Sequence, residues 1–137
     1  MIVNILRFRF HDDVPAEKQA AVVDLMRRTA SVESVAFGTV GRDIGDPRDG
    51  FTHAYCAAVA DLAALERYLH DPVHLAGDPQ ILPYLSRLSA VRLSDDPDPG
   101  IADKIQELHL AKVRTYPDWG RMLAAVTDRT IVTEPAP

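Results

Sequence analysis

Seven consecutive residues, Tyr68-Leu69-His70-Asp71-Pro72-Val73-His74, bring a phenol, two imidazoles and a carboxylate into one short stretch. Imidazole is the side chain whose ordinary pKa lies nearest neutrality. A phenol can donate a hydrogen bond to an oxygen on which negative charge develops. Together the two groups supply what an enzyme needs to move protons on a small molecule without a cofactor. His70 and His74 are four apart, which on an unbroken helix would put both on one face, but Pro72 argues against such a helix. With no His-Glu-x-x-His pattern and one cysteine, Cys56, no metal site is expected.

Each further candidate has a plain structural alternative. His53 lies on a strand face with Phe51 and Tyr55, where a lone histidine is more often a hydrogen-bonded core residue than a ligand. Tyr68 follows Leu65 by three residues, so it falls near the buried stripe of a helix and could simply pack there with its hydroxyl satisfied. His11 and His109 have no supporting context and read as solvated. Cys56 sits mid-strand among alanines and reads as a buried, inert thiol. Gly38-Thr39-Val40-Gly41 lacks the lysine and following helix of a phosphate loop, and there is no Gly-x-Ser-x-Gly.

These residues must be positioned by a small fold. The chain has 137 residues, 47% of them apolar, enough for one domain with a real core. Its net charge of −5 argues against nucleic acid as a partner. No apolar run is long enough to span a membrane, and Met1-Ile2-Val3-Asn4 enters strand-like sequence directly, so a cytoplasmic protein is expected.

Residues 2–10 alternate as a strand, with Ile2, Asn4, Leu6, Phe8 and Phe10 on one face. Pro15 suits the first turn of a helix whose stripe is Val22, Val23, Met26 and Ala30. A second strand over 35–44 and a third over 51–60 flank a turn-rich segment, Gly45 to Gly50. In the third strand, Phe51, His53, Tyr55, Ala57 and Val59 alternate with Thr52, Ala54, Cys56 and Ala58, and neither face is charged. One helical layer covers one face only, so the other needs a partner subunit, and a homodimer is expected. Asp61 caps a helix bearing Leu62, Leu65 and Leu69, which Pro72 ends near Asp71. Asp78-Pro79 reads as cap and first turn of a short helix through Leu85, before a fourth strand over 87–94.

The order is β-α-β-β-α-β: an α+β, ferredoxin-like fold with a four-stranded antiparallel sheet over residues 1–95. Asp95-Asp96-Pro97-Asp98-Pro99-Gly100 marks a boundary. Beyond it, residues 96–137 form an acidic, proline-rich linker and a C-terminal helical extension. Ile101, Ile105 and Leu108 mark one helix, and Trp119, Met122, Leu123 and Val126 another, capped by Asp118. So few residues cannot hold a core of their own, so they must pack on the main domain or on the partner. The last residues, 133–137, are expected to be loose.

Three segments carry a family resemblance: the first strand ending in Arg9-Phe10, Phe51-Thr52-His53 opening the third strand, and above all Leu65 to His74, which is similar to a Tyr-x-x-His-Pro-x-His signature. Here Asp71 replaces the histidine before proline, and His70 lies one residue earlier. The chain resembles the stress-responsive A/B-barrel family of dimeric α+β barrels over about residues 2–95. The resemblance implies two sheets packed face to face in a dimeric barrel, with a small-molecule pocket between each sheet and its helices. Enzymatic members include olivetolic acid cyclase-type polyketide cyclases, whose catalytic Tyr and His fall on Tyr68 and His74. The third-strand histidine falls on His53. The family's usual first-strand histidine falls on Asn4, which can supply only neutral hydrogen bonds.

The expectation is therefore a cofactor-independent cyclase, or a related isomerase or dehydratase, acting on a polyketide-like substrate. His74 is the general base and Tyr68 the donor to the enolate or alkoxide oxygen. His53 and Asn4 orient the substrate, and Leu6, Phe8, Phe37, Phe51 and Tyr55 line an apolar pocket, unless those aromatics form a dimer core. Two alternatives stand beside it: a non-catalytic stress-responsive protein binding an apolar small molecule, and a haem- or oxygen-dependent monooxygenase.

Overall fold

The computed structural model describes residues 1–126 and 128–130. The expectation for residues 133–137 lies outside them. The chain runs β1 (Ile2–Phe10), α1 (Ala16–Thr29), β2 (Val35–Arg42), β3 (His53–Val59), α2 (Leu62–Leu69), α3 (Pro72–Gly77), β4 (Leu85–Ser94), α4 (Ile101–Thr115), α5 (Pro117–Ala124) and β5 (Asp128–Thr130). The sheet order is β2-β3-β1-β4-β5. The first four strands pair antiparallel, as the sequence predicts. The fifth corrects the four-stranded expectation: β5 pairs in parallel with Arg87–Ser89 of β4, and Asp128 meets Arg87 at 2.8 Å. Three residues carry too little pattern to be read as a strand.

One face of the sheet is packed by helices. Ile2, Asn4, Phe8 and Phe10 of β1 are buried there, with Tyr55, Ala57 and Val59 of β3 and Leu88 of β4. The opposite face is open and apolar: Phe37, Val91 and Leu93 are 56%, 57% and 59% exposed. Cys56 lies on this face, half-buried and free, not buried as expected. Gly38 closes β2 onto the end of α1, since a Cβ there would fall 2.5 Å from the Ala30 carbonyl oxygen.

The segment bearing the histidines is built by caps. Asp61 accepts a 2.8 Å bond from the Ala64 amide and starts α2. Asp71, extended ahead of Pro72, accepts a 2.8 Å bond from the Val73 amide and starts α3. The break expected at Pro72 is therefore present. The helix expected from Asp78 to Leu85 is instead two single 3₁₀ turns, Asp78–Gln80 and Leu82–Tyr84. Asp78 does not cap, because its carboxylate is drawn inward.

α4 and α5 pack on each other, and α4 also packs on α2. Ile101, Ile105, Leu108, His109 and Lys112 fall on one stripe of α4. The Tyr116-Pro117 step ends α4 and starts α5 with Pro117 in the first turn, so Asp118 is not the cap that its type suggested. His109 is only 6% exposed, correcting its reading as solvated.

Candidate active site

The loop after α2 places His74 by its own backbone. Its Nδ1 lies 2.9 Å from the Tyr68 carbonyl oxygen, at the helix end, which also accepts a 3.3 Å bond from the Asp71 amide. A carbonyl can only accept, so Nδ1 carries a proton and Nε2 is the nitrogen left to meet other side chains. Nε2 lies 3.2 Å from Asp78 Oδ2 and 3.5 Å from Lys112 Nζ. Asp78 Oδ2 also accepts a 2.7 Å bond from the Trp119 indole and lies 3.9 Å from Lys112 Nζ. The Lys112 ammonium sits over the Trp119 ring at 4.2 Å.

The array is buried. The side chains of His74, Asp78 and Lys112 are 11%, 13% and 0% exposed. Burial pushes the Asp78 carboxyl up, but His74, Lys112 and the indole together outweigh it and hold the group below the usual carboxylate range. Burial pushes Lys112 down to about 8 against the pull of Asp78, so a neutral amine is accessible near physiological pH.

Two phenols stand beside the imidazole. The Tyr55 and Tyr68 hydroxyls are 2.5 Å apart, and the Tyr68 ring lies 4.6 Å from that of His74. Burial raises both phenols well above their ordinary pKa, so both stay protonated. Two hydroxyl hydrogens serve one shared bond, which leaves one free to donate to a ligand.

These groups line one cavity of about 100 Å³, with Leu6 and Asn4 from β1, Arg92 from β4 and His109 from α4. The His109 Nδ1 lies 2.9 Å from the Ile105 carbonyl oxygen, and burial, reinforced by Arg92, pushes the imidazole down to about 3, so it is neutral.

Of the residues read from the sequence, Tyr68, His74, Asn4, Leu6 and Tyr55 meet at this cavity. His53 does not. It stacks on Phe8 at 5.4 Å and bonds Thr52 at 2.8 Å, two positions along β3 from Tyr55. Phe8 is fully buried in the core. Phe37 and Phe51 lie outside the cavity: Phe37 is on the open face, and Phe51 sits under the guanidinium groups of Arg7 and Arg87 at 4.6 and 4.7 Å. Alternation misplaced Phe51 because regular pairing begins at His53. His70 bonds the Tyr116 hydroxyl at 3.0 Å, outside the cavity. Asp78, Lys112, Arg92 and Trp119 were missed. Asp78 follows His74 by four residues, and Lys112 continues the apolar stripe of α4, so both left a signal in the spacing.

A family model described as the stress responsive A/B barrel domain matches residues 2–94. No functionally curated protein matches the chain. Among solved structures, a hydroxynitrile lyase from Passiflora edulis is 17% identical, with a TM-score of 0.62 over 70% of this chain and 94% of its own. A Dabb family protein from Mesorhizobium loti with a ferredoxin-like fold is 21% identical, with a TM-score of 0.60 over 69% of this chain and 96% of its own. A dimeric ferredoxin-like protein of unknown function from Thermobifida fusca is 23% identical, with a TM-score of 0.60 over 68% and 89%. Likeness of this degree shows the fold and not the substrate. α4, α5 and β5 lie beyond the matched segment. On the match over residues 2–94, with its ferredoxin-like strand order, the chain belongs to the stress-responsive A/B-barrel family.

Proposed function

We propose that the chain is a cofactor-independent acid–base enzyme of the cyclase, isomerase or lyase kind, acting on a small carbonyl compound, with a polyketide-like β-ketone as the first class to try. One observation carries this reading: His74, with its Nε2 3.2 Å from Asp78, lines the same cavity as Tyr55 and Tyr68, whose hydroxyls are 2.5 Å apart. Nε2 takes the proton from the carbon next to the carbonyl, and Asp78 stabilises the resulting imidazolium. The free phenol hydrogen bonds the enolate oxygen, and the proton returns from Nε2 when the enolate has reacted. Fold likeness to a hydroxynitrile lyase is compatible with lyase chemistry but does not specify it. α4 and α5 act here as a cap that supplies Lys112 and Trp119 to the site.

The test follows exchange of acidic carbon-bound hydrogen into deuterium oxide by NMR, using a neutral 1,3-diketone and a short poly-β-ketone. Wild-type protein accelerates exchange. His74→Ala slows it by about 10²- to 10⁴-fold and Tyr68→Phe by about 10²- to 10³-fold. Unchanged exchange in both variants overturns the assignment.

The apolar lining, including Leu6, Leu69, Leu82, Leu88 and Leu123, favours a second reading, non-catalytic binding of a small apolar molecule. It predicts saturable binding with no exchange. Haem, a macrocycle far larger than a small carbonyl compound, does not fit this cavity of about 100 Å³. We also propose that the open sheet face, with Phe37, Val91 and Leu93, is covered by a second copy of the chain. Several solved relatives are described as dimeric.

A further inference from the structure

Asn4 and Arg92 are direct partners in the antiparallel β1–β4 ladder. Both line the cavity, and partners of this kind have Cβ atoms about 5 Å apart. Asn4 is 7% exposed, and neither its Nδ2 nor its Oδ1 has a hydrogen-bond partner. The Nε of Arg92 is likewise buried and unpartnered. Unmade bonds at buried polar atoms are costly, and native folds rarely leave them without a reason.

The fold supplies no such reason. Position 4 lies between Ile2 and Leu6 on the packed face, where an aliphatic side chain would fill the space without orphaned atoms. The charges are also unbalanced. Lys112 faces Asp78, but among the described residues Arg92 has no carboxylate at ion-pair distance. Its charge is felt nearby, since it helps hold His109 neutral. One anion would balance the site, and the planar guanidinium fork matches a carboxylate. Arg92 also lines a groove of about 450 Å³ between β4 and α4, so it can be reached from outside the cavity.

We propose that Asn4 and Arg92 form a carboxylate-binding site and that the substrate is a small oxo acid, its carboxylate on this pair and its carbonyl toward Tyr68 and His74. This rests on the acid–base reading above and adds the substrate class. A carboxylate satisfies Arg92 Nε and Asn4 Nδ2 together. The cavity volume limits the rest of the molecule to a short chain.

The test is calorimetric titration of the full chain with 2-oxobutyrate, its neutral amide and inorganic phosphate. The oxo acid binds saturably, and the amide and phosphate bind at least about tenfold more weakly. Arg92→Gln and Asn4→Leu each weaken oxo-acid binding by roughly 10- to 100-fold. Asn4→Leu also raises the Tm of the ligand-free protein, which a purely structural asparagine would not do. Equal binding of acid and amide, phosphate binding as tight as the acid, or unchanged affinity in both variants overturns the proposal. His74-dependent exchange on a neutral diketone without any carboxylate binding leaves the acid–base reading standing and sinks this one. Carboxylate binding without His74-dependent exchange on any probe does the reverse.

Discussion

The Trp119 indole donates a 2.7 Å hydrogen bond to Asp78, four residues past His74. The bond ties a helix outside the family segment to the carboxylate that faces the candidate base. It also closes a triangle of contacts, because Trp119 carries Lys112 on its ring and Lys112 faces Asp78 in turn. Trp119→Phe keeps an aromatic surface under Lys112 and removes the donor together with part of the ring. A hydrogen bond to a charged group contributes about 1.5–3 kcal/mol, and the variant should lose stability in that range in urea unfolding. An unchanged midpoint would show that solvent replaces the indole.

Asp78 and Lys112 should couple strongly. Asp78→Asn leaves Lys112 fully buried without a counter-charge, a change that typically costs about 3–5 kcal/mol. Lys112→Met alone costs less, about 1–3 kcal/mol, because Asp78 keeps His74 and the Trp119 indole. In the double variant no charge is stranded, and most of the Asp78→Asn loss returns. Proton exchange should not return, since His74 has lost its carboxylate. A double-mutant cycle by urea unfolding, run beside the exchange assay, separates the two effects. Additive stability losses would refute the coupling.

The reach of the sequence can be traced residue by residue. Tyr68 and His74 were legible because their types are rare enough to carry chemistry and Pro72 fixes the chain between them. The four long strands were legible because their alternation is period two. Asp78 was not, because Asp-Pro is an equally good helix start, and only the fold reveals that its carboxylate turns inward. Lys112 was hidden by its charge: on a pattern reading a lysine ends an apolar stripe, and here it continues one into the core. His53 failed for a subtler reason. It does lie on the helix-facing side, but two strand positions put it beyond Tyr55 and among Phe8 and Phe10.

The open sheet face yields a prediction about assembly. Val91 and Leu93 project from β4 on the side away from the helices and are more than half exposed, at 57% and 59%. Covered by a second copy, they become core. Leu93→Asp then places an unpaired charge in that interface and should shift the protein to monomer in analytical ultracentrifugation, while a surface control, Ile44→Asp, leaves the mass unchanged. A wild-type protein that sediments as monomer at micromolar concentration would refute the interface.

His109 should make the fold acid-sensitive in a window of its own. It is buried on α4, with its imidazole pushed down to about 3 from an ordinary 6.5. The unfolded chain binds this proton more readily than the folded one between those two values, so stability rises with pH across the window and is level above it. Acidification from pH 6.5 to 4.5 should therefore cost about 2–3 kcal/mol through this residue. Asp78 acts with the same sign, but its folded pKa lies below 3.8, so its contribution is lost at lower pH. His109→Gln keeps a donor within reach of the Ile105 carbonyl and removes the titration. Urea unfolding at pH 6.5, 5.5 and 4.5 should give a clearly flatter pH dependence in the variant. Parallel curves would show that His109 takes up its proton in the folded state with no penalty, and that the positive field of Arg92 is already balanced within the cavity.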